Sequence, residues 1–382
     1  MKTISKLPDI LFATELLDAI NFLPCLKDPR IVDKPIVLYG AGDMGKMAYE
    51  YFKIININIE FVIDKQADKF KTDLFWSNTR IIDPIEGQAF IDKDFLLVVC
   101  VALSPYEEIQ SYLNEMGWKD IVPLYDICEA YKEIHPLSNG WFANNLNSQD
   151  YEQMRNSLSM WQDDISRAHY IQFYAWHKLR EDWIFEKAPI INNRYFIPEV
   201  LGILNSNESF LDIGAHHGQV IRKFFDLKDG LYKEIVAIEA DSNNCEVLRK
   251  NLTSYGIINN VHIKEMVLSD KRIKKPFLEG LGYSSQFSQS SKNLKETILL
   301  DDLDLKPTFI KMHLEGYELE VLKGALNTIV MNNPILAITV YHNTLGLWEI
   351  FNWLKDNLKN YRFYLRLHSW VGTGLVVYCL KQ

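Results

Sequence analysis

The chain has 382 residues, 48% of them hydrophobic and 24% charged, which is enough apolar material to bury the cores of about two or three globular domains. Its formal net charge of -9 argues against a general nucleic-acid binder, because neutralising phosphates requires a basic surface. The five cysteines form no C-x-x-C pair, so neither a disulfide framework nor a zinc site is indicated. No stretch has the pattern of a signal peptide or a membrane span, and we expect a cytoplasmic protein without a membrane partner.

The first part of the chain alternates between short apolar runs and helical patterns. The apolar runs fall at residues 36–39, 59–63, 95–102 and 121–123. One helix with a following loop precedes them in residues 1–34, and further helical patterns end at Phe52 and cover residues 106–116. Such alternation is typical of parallel strands joined by right-handed crossovers. We therefore predict a Rossmann-like parallel sheet domain over residues 1–135.

A glycine-rich turn follows the first of these predicted strands and opens a helix. The segment Gly40-Ala-Gly-Asp-Met-Gly45 matches G-x-G-x-x-G, so Gly40, Gly42 and Gly45 would let the backbone approach a phosphate. Asp64, at the end of the next strand, is placed to bind a ribose. The region resembles the small nucleotide-binding domains attached to sugar-modifying enzymes, which implies a nucleotide, a nucleotide-sugar or NAD as ligand. A structural or dimerising domain with an empty crevice explains the pattern equally well.

Residues 136–195 have a different composition, with tryptophans among many polar residues and helical spacing over residues 150–186. The tryptophans are Trp141, Trp161, Trp176 and Trp183. This pattern predicts a helical connector that packs against, or partly covers, the domain that follows.

Strand and helix patterns alternate again over residues 196–382. The predicted strands are residues 210–213, 235–238, 261–267, 309–312, 335–340, 362–367 and 375–380. The predicted helices are residues 220–225, 245–255, 319–329 and 347–358. A short turn joins the last two strands, which favours an antiparallel hairpin. A parallel sheet closed by an antiparallel final pair resembles the class I methyltransferase fold, so we predict an α/β domain with a seven-stranded sheet.

The turn after the first of these strands has the features of a donor-binding site. Its glycines permit positive φ and close approach of a ligand, and the helix that follows offers free N–H groups to a carboxylate. S-adenosylmethionine carries such a carboxylate, together with an ammonium that Asp212 could hold. Glu239 is placed to accept hydrogen bonds from the ribose hydroxyls, and Asp270 to meet the adenine amine. The predicted donor-binding residues are Asp212, Gly214, Ala215, Gly218, Glu239, Ala240, Asp241, Ser269 and Asp270.

Several further motifs follow in order along the same part of the chain. They are Asp212-Ile-Gly-Ala, Ile238-Glu-Ala-Asp241, Thr297-Ile-Leu-Leu-Asp-Asp-Leu303, Ile310-Lys-Met-His-Leu-Glu-Gly316 and Glu320-Val-Leu-Lys-Gly-Ala325. With them, residues 195–382 resemble the FkbM family of methyltransferases. The resemblance implies S-adenosylmethionine as the methyl donor. It also implies a small-molecule or saccharide acceptor that is methylated on a hydroxyl, such as a sugar, a polysaccharide precursor or a specialised metabolite.

The chain departs from the family at His313, where the family usually has Asp. Methyl transfer requires alignment of the acceptor oxygen with the methyl group and removal of a proton. The candidate bases are His313, Glu315 and His342, and a histidine with a near-neutral pKa can still accept that proton. Lys311 could orient a carboxylate or the acceptor oxygen. No residue spacing indicates a metal ion.

Other functions remain open on the sequence alone. One is a nicotinamide-dependent oxidoreductase or epimerase that uses the N-terminal domain. Another is a non-catalytic binding protein that keeps the donor pocket but has lost catalysis at His313. The polar stretch Gly280–Ser291 could be a mobile loop over the acceptor or an ordinary surface loop. The composition also allows a homodimer.

Overall fold

The N-terminal segment packs against later parts of the chain. The structure is a computed structural model that describes residues 1–24, 28–144, 146–280, 285–289 and 291–382. Strand β1 (Lys2–Ile4) pairs in parallel with residues 183–185. Helix α1 (Ile10–Phe22) begins at Asp9, whose side chain accepts a hydrogen bond from Phe12 N. Its buried face shares a core with the C-terminal sheet.

Five parallel strands form a sheet in the order β4-β3-β2-β5-β6. The strands are β2 (Ile36–Tyr39), β3 (Ile59–Ile63), β4 (Ile81–Ile82), β5 (Leu96–Val99) and β6 (Ile121–Pro123). The helices are α2 (Asp43–Ile54), α3 (Ala67–Phe70), α4 (Pro84–Gly87), α5 (Tyr106–Glu115) and α6 (Leu124–Ala130). The central strands β2 and β5 are buried along their whole length, which explains their continuous apolar sequences. The two-residue strand β4 was not predicted, because it is too short to show a period.

The connector consists mainly of two helices, which pack at the edge of the C-terminal sheet formed by residues 361–367. Its elements are α7 (Ser148–Ser157), α8 (Asp164–Leu179) and β7 (Trp183–Phe185). Helix α8 is buried almost throughout, and Ser166 Oγ and His169 Nδ1 accept hydrogen bonds from the backbone N–H groups of Leu365 and Leu367. Arg180 follows the helix and forms an ion pair of 2.8 Å with Asp126 of α6, nearly out of solvent. The connector is therefore packed against both sheets.

Residues 196–382 contain a seven-stranded sheet in the order β10-β9-β8-β15-β16-β18-β17. The strands of this region are β8 (Ser209–Ile213), β9 (Glu234–Glu239), β10 (Val261–Glu265), β11 (Val267–Leu268), β12 (Lys274–Leu278), β13 (Gln286–Phe287), β14 (Leu294–Ile298), β15 (Phe309–Met312), β16 (Ile335–Thr339), β17 (Tyr361–Leu367) and β18 (Leu375–Lys381). The helices are α9 (Pro198–Leu201), α10 (Gln219–Leu227), α11 (Ser242–Ser254), α12 (Glu318–Lys323), α13 (Leu326–Asn332) and α14 (Glu349–Asn357). Among the described residues, β18 runs in the direction opposite to the other six strands of this sheet.

This sheet confirms the predicted fold class. The chain runs from β8 outward to β9 and β10, and then returns to β15 on the other side of β8. At such a reversal the loops after two neighbouring strands separate and leave a crevice at their carboxyl ends. The crevice lies after β8 and β15.

The structure differs from the prediction where β10 ends. A single strand over residues 261–267 was expected, but the chain leaves the large sheet at Met266, whose N–H donates to Glu239 O at 3.1 Å. Strands β11 to β14 then form a separate small sheet. The predicted loop Gly280–Ser291 falls in this region and includes strand β13. Residues 281–284 and 290 of that stretch lie outside the described residues.

Two further features concern the described residues only. Cys100, Cys128, Cys245 and Cys379 are all buried and unpaired. None of the helices in the described ranges combines the length and the apolar character that crossing a membrane would require.

Candidate active site

Two glycines shape the turn between β8 and α10. Gly214 and Gly218 have φ of +75° and +82°, a region that L side chains rarely adopt. A Cβ atom at Gly214 would lie 2.0 Å from His313 O, and one at Gly218 would lie 2.7 Å from Leu248 Cδ1. Both positions therefore require glycine for their backbone conformation and for packing.

Substitution of Gly218 by alanine is expected to destabilise the fold by roughly 1–3 kcal/mol, because it combines backbone strain with overpacking against α11. Gly256 provides a matched control, since its φ is +73° but a Cβ atom there meets nothing within 4 Å. Urea unfolding of Gly218→Ala and Gly256→Ala measures the difference. Equal losses in the two variants would show that strain alone, without the clash, accounts for the effect.

Glu239, at the carboxyl end of β9, lies beside this turn. One carboxylate oxygen accepts a hydrogen bond of 2.7 Å from His216 N, and the other accepts from Ala240 N and Asp241 N at 3.0 Å. Glu239 and Ala240 line the cavity described below. Asp241 instead caps α11 and accepts hydrogen bonds from Gly280 N and Ser285 Oγ, both at 2.6 Å.

Asp212 and Lys311 form an ion pair beneath the turn. Lys311 Nζ lies 2.8 Å from Asp212 Oδ1 and donates to Gly214 O at 2.7 Å. Asp212 is fully buried, and burial raises its pKa although the Lys311 ammonium opposes that shift. The carboxylate predicted to hold the donor's ammonium thus has a lysine as its partner, and the two residues support the glycine turn from below.

The residues predicted to meet the adenine lie elsewhere. Ser269 is fully buried against Gly324, where a Cβ atom would lie 2.1 Å from Ser269 O. Asp270 is half-buried, and its side chain accepts from Ser269 Oγ at 3.2 Å. The cavity wall at this point is apolar and consists of Met266, Val267 and Leu268.

One cavity of about 490 Å³ joins these features, a volume in the range of small-molecule sites. On one side it is lined by the glycine turn and the end of β9, and on the other by the residues that follow β15. The basic side chains Arg194 and Lys223 also reach it, and Asp43 of the N-terminal unit stands at its edge. From the predicted catalytic set, Lys311, His313 and Glu315 line it.

At the side of the cavity after β15, three of the predicted catalytic residues form a compact polar cluster. His313 Nε2 lies 3.1 Å from Glu315 Oε1, and His342 Nε2 lies 3.5 Å from the same oxygen. Glu315 has φ +50° in the turn after β15, and the neighbouring Gly316 has φ +102°. A Cβ atom at Gly316 would lie 2.7 Å from Asn343 Nδ2, so the close approach of the turns after β15 and β16 requires glycine there.

Burial and mutual charge shift the pKa values of this cluster. Burial lowers the pKa of His313 to about 4, although Glu315 opposes the shift. Burial by itself raises the pKa of Glu315, but the adjacent His342 and His313 hold it well below its usual range. Burial lowers the pKa of His342, yet Glu315 and Glu318 raise it well above the ordinary value. His313 is thus a neutral base at physiological pH, with a pKa below the near-neutral value expected from its residue type.

Sequence reasoning missed four residues that complete this site. Tyr195 OH lies 3.0 Å from His313 Nδ1, and Tyr341 OH lies 3.2 Å from His313 Nε2. Glu318 Oε1 lies 3.1 Å from His342 Nδ1, and Arg194 contributes the cation noted above. The spacing of two acids in Glu315-Gly-Tyr-Glu318 was a usable signal. The other three residues carried none, because Arg194 and Tyr195 precede the sheet and Tyr341 follows β16, far from His313 in sequence.

The N-terminal glycine motif forms a tight turn of its own. Cβ atoms at Gly40 and Gly45 would lie 2.8 Å from Cys100 O and 2.0 Å from Gly40 O, whereas Gly42 faces open space. Asp64 accepts hydrogen bonds from Ala41 N and Gln66 N, both at 2.7 Å. The motif thus has a packing role in the turn, and its nucleotide ligand stays a prediction.

Comparison with known proteins finds similarity to methyltransferases. Residues 212–364 match the family model described as the methyltransferase FkbM domain. The fold is similar to that of a methyltransferase FkbM from Methylobacillus flagellatus over 97% of this chain and 100% of that one, with a TM-score of 0.62 and 18% identity. A precorrin-6y C5,15-methyltransferase from Geobacter metallireducens is similar over 51% of this chain and 99% of its own, with a TM-score of 0.31 and 16% identity. No curated protein matches the sequence. Over residues 212–364, the chain is thus similar to the FkbM family of methyltransferases.

Proposed function

We propose that the chain transfers the methyl group of S-adenosylmethionine to a hydroxyl oxygen of a sugar, a polysaccharide precursor or a specialised metabolite. The observation that carries this proposal is the shared cavity, in which the glycine turn and Glu239 face the same space as His313 and Glu315. A donor bound on the first wall would present its methyl group toward polar side chains on the second.

The donor side of the cavity suits each part of S-adenosylmethionine. Glu239 supports a ribose, because a carboxylate can accept hydrogen bonds from two neighbouring hydroxyls. The apolar wall at residues 266–268 suits the faces of an adenine ring. The N-terminus of α10, together with Arg194 and Lys223, supplies positive charge for the methionine carboxylate.

The acceptor side supplies what displacement at the methyl carbon requires. The acceptor oxygen attacks the methyl carbon as the carbon–sulfur bond breaks, and its proton must leave. His313 is a neutral, partly exposed group in the cavity wall, with Glu315 beside it. The main contribution of the protein is alignment of the oxygen with the methyl group, with a nearby proton acceptor.

Turnover of labelled S-adenosylmethionine tests the proposal. The protein is incubated with the donor and a panel of monosaccharides, nucleotide-sugars and phenolic or polyketide alcohols, and products are identified by mass spectrometry. We expect S-adenosylhomocysteine to form together with an acceptor that is heavier by one methyl group on oxygen. Donor binding without turnover on any acceptor would favour the binding-protein alternative, and a product methylated on nitrogen or carbon would contradict the oxygen assignment.

The nicotinamide-dependent alternative gains no support from the N-terminal unit. Asp64, the acid predicted to hold the ribose there, accepts backbone hydrogen bonds through both oxygens, as Glu239 does, so these contacts do not separate the two functions. The proposed chemistry rests on the C-terminal cavity, where Glu239 shares one space with His313 and Glu315.

A further inference from the structure

We infer that His313, Glu315 and His342 bind one divalent transition-metal ion, which holds the acceptor hydroxyl next to the methyl group. Nitrogen and carboxylate oxygen donors in this combination are typical ligands of zinc, iron and manganese in proteins. The three residues can each offer one ligand atom within 4.8 Å of the others. The role in methyl transfer rests on the proposed function, whereas the binding of the ion does not.

The separations between the ligand atoms fit a single ion. Two ligands about 2.1 Å from one cation stand roughly 3.0–3.4 Å apart at coordination angles of about 90–110°. His313 Nε2 and Glu315 Oε1 are 3.1 Å apart, and His342 Nε2 and the same oxygen are 3.5 Å apart. With the third pair also within 4.8 Å, the three atoms surround a space in which one ion can contact all of them after side-chain adjustment.

His342 is the clearest sign of a missing ligand. Its side chain is 1% exposed; Nδ1 lies 3.1 Å from Glu318 Oε1, whereas Nε2 lies 3.5 Å from Glu315 Oε1 and makes no hydrogen bond among the described residues. A buried polar atom without a hydrogen bond is unfavourable by about 1–3 kcal/mol. An ion bound to Nε2 would satisfy that nitrogen.

Surrounding groups hold the three ligands in place. Metal-binding histidines usually donate their second ring N–H to an oxygen, which fixes the ring orientation. Glu318 Oε1 lies 3.1 Å from His342 Nδ1, and Tyr195 OH lies 3.0 Å from His313 Nδ1. The second oxygen of Glu315 accepts a hydrogen bond of 3.2 Å from Ser138 Oγ in the connector. Each of the three proposed ligands thus has a supporting contact.

The position of the site gives the ion a chemical role. His313 and Glu315 line the donor cavity, so coordination positions not taken by protein face the proposed acceptor. A bound cation lowers the pKa of a coordinated hydroxyl, which releases its proton to solvent before attack, so that His313 serves as a ligand and not as the proton acceptor. The oxygen then attacks the methyl carbon as the carbon–sulfur bond breaks. The products are a methyl ether, S-adenosylhomocysteine and one proton.

Titration with Co²⁺ tests the site, using untagged full-length protein that has been treated with a chelator. We expect the wild type to take up one equivalent, with visible absorption bands of a nitrogen- and oxygen-ligated ion, and Mg²⁺ not to compete. Glu315→Gln and His342→Gln should lose this uptake. Glu318→Gln, which removes only a positioning contact, should weaken it by about 10–100-fold.

The control variant is His262→Gln, which removes an exposed histidine on β10 and should leave Co²⁺ uptake unchanged. Thermal melting identifies any variant that has failed to fold, and His313→Asp adds a conservative test, since it should retain the ion with an altered spectrum. A wild type that takes up no stoichiometric Co²⁺ or Zn²⁺, or folded Glu315→Gln and His342→Gln variants that bind normally, would overturn the inference.

Calorimetry with S-adenosylmethionine on the same samples separates the two proposals. Donor binding by a protein that takes up no metal would leave the proposed function standing and end this inference. Metal uptake at the three residues by a protein that binds no donor would leave this inference standing and contradict the proposed function.

Discussion

Replacement of Glu239 by alanine is expected to weaken the binding of S-adenosylmethionine by about 100-fold or more. Each hydrogen bond to a charged group contributes roughly 1.5–3 kcal/mol, so loss of two ribose contacts amounts to about 3 kcal/mol or more. The variant also removes the acceptor for His216 N, which shapes the glycine turn. Isothermal titration calorimetry with S-adenosylmethionine and S-adenosylhomocysteine measures the change.

Two further variants make this result specific. Glu239→Gln keeps an oxygen acceptor without the charge and should bind with intermediate affinity. Glu246→Ala removes an exposed acidic side chain from α11 and should bind like the wild type. Unchanged affinity in a folded Glu239→Ala protein would rule out the ribose contact. Loss in Glu246→Ala as well would point to a general effect of charge.

Lys311→Met is expected to destabilise the protein by about 3–5 kcal/mol, because it leaves the Asp212 carboxylate buried without its partner. Both side chains are almost completely buried, and Lys311 also holds Gly214 O in the glycine turn. A loss of this size is a large fraction of the roughly 5–15 kcal/mol by which domains are stable. Chemical denaturation in urea measures it.

A double variant separates the ion pair from simple loss of packing. In Asp212→Asn with Lys311→Met no uncompensated charge remains, so part of the lost stability should return. Lys250→Met, which changes an exposed lysine on α11, should remain within about 0.5 kcal/mol of the wild type. If Lys311→Met were as stable as Lys250→Met, the ion pair would have no structural role. That result would favour the predicted catalytic role of Lys311.

The two sides of the cavity are formed by different parts of the chain. The donor wall comes from consecutive loops of the seven-stranded sheet. The acceptor wall also depends on residues before that sheet, since Tyr195 contacts His313 and Ser138 contacts Glu315. Asp43 brings the N-terminal unit to the same cavity. Differences in acceptor preference between related chains are therefore expected to follow the segments before β8 as well as the catalytic loops.

The sequence by itself determined the fold class and the position of the glycine turn and Glu239 at one edge of the sheet. Strands β2, β3, β6 and β15 were predicted with the bounds that the structure shows. These strands are short, mainly apolar segments, whose pattern depends largely on local burial. The positions of the glycine turn and Glu239 could also be predicted from the sequence, because residues at successive strand ends must meet at one edge of a parallel sheet.

Only the tertiary structure decided which polar residues share a contact. Asp212 was predicted to face the donor, but the neighbouring strand β15 places Lys311 against it in the core. Residues 266–268 line the cavity where Ser269 and Asp270 were expected, because the chain leaves the large sheet at Met266. His313 and His342 approach each other because β15 and β16 lie side by side, and Glu318 reaches His342 from α12. Such contacts join residues that are distant in sequence, and no local periodicity records them.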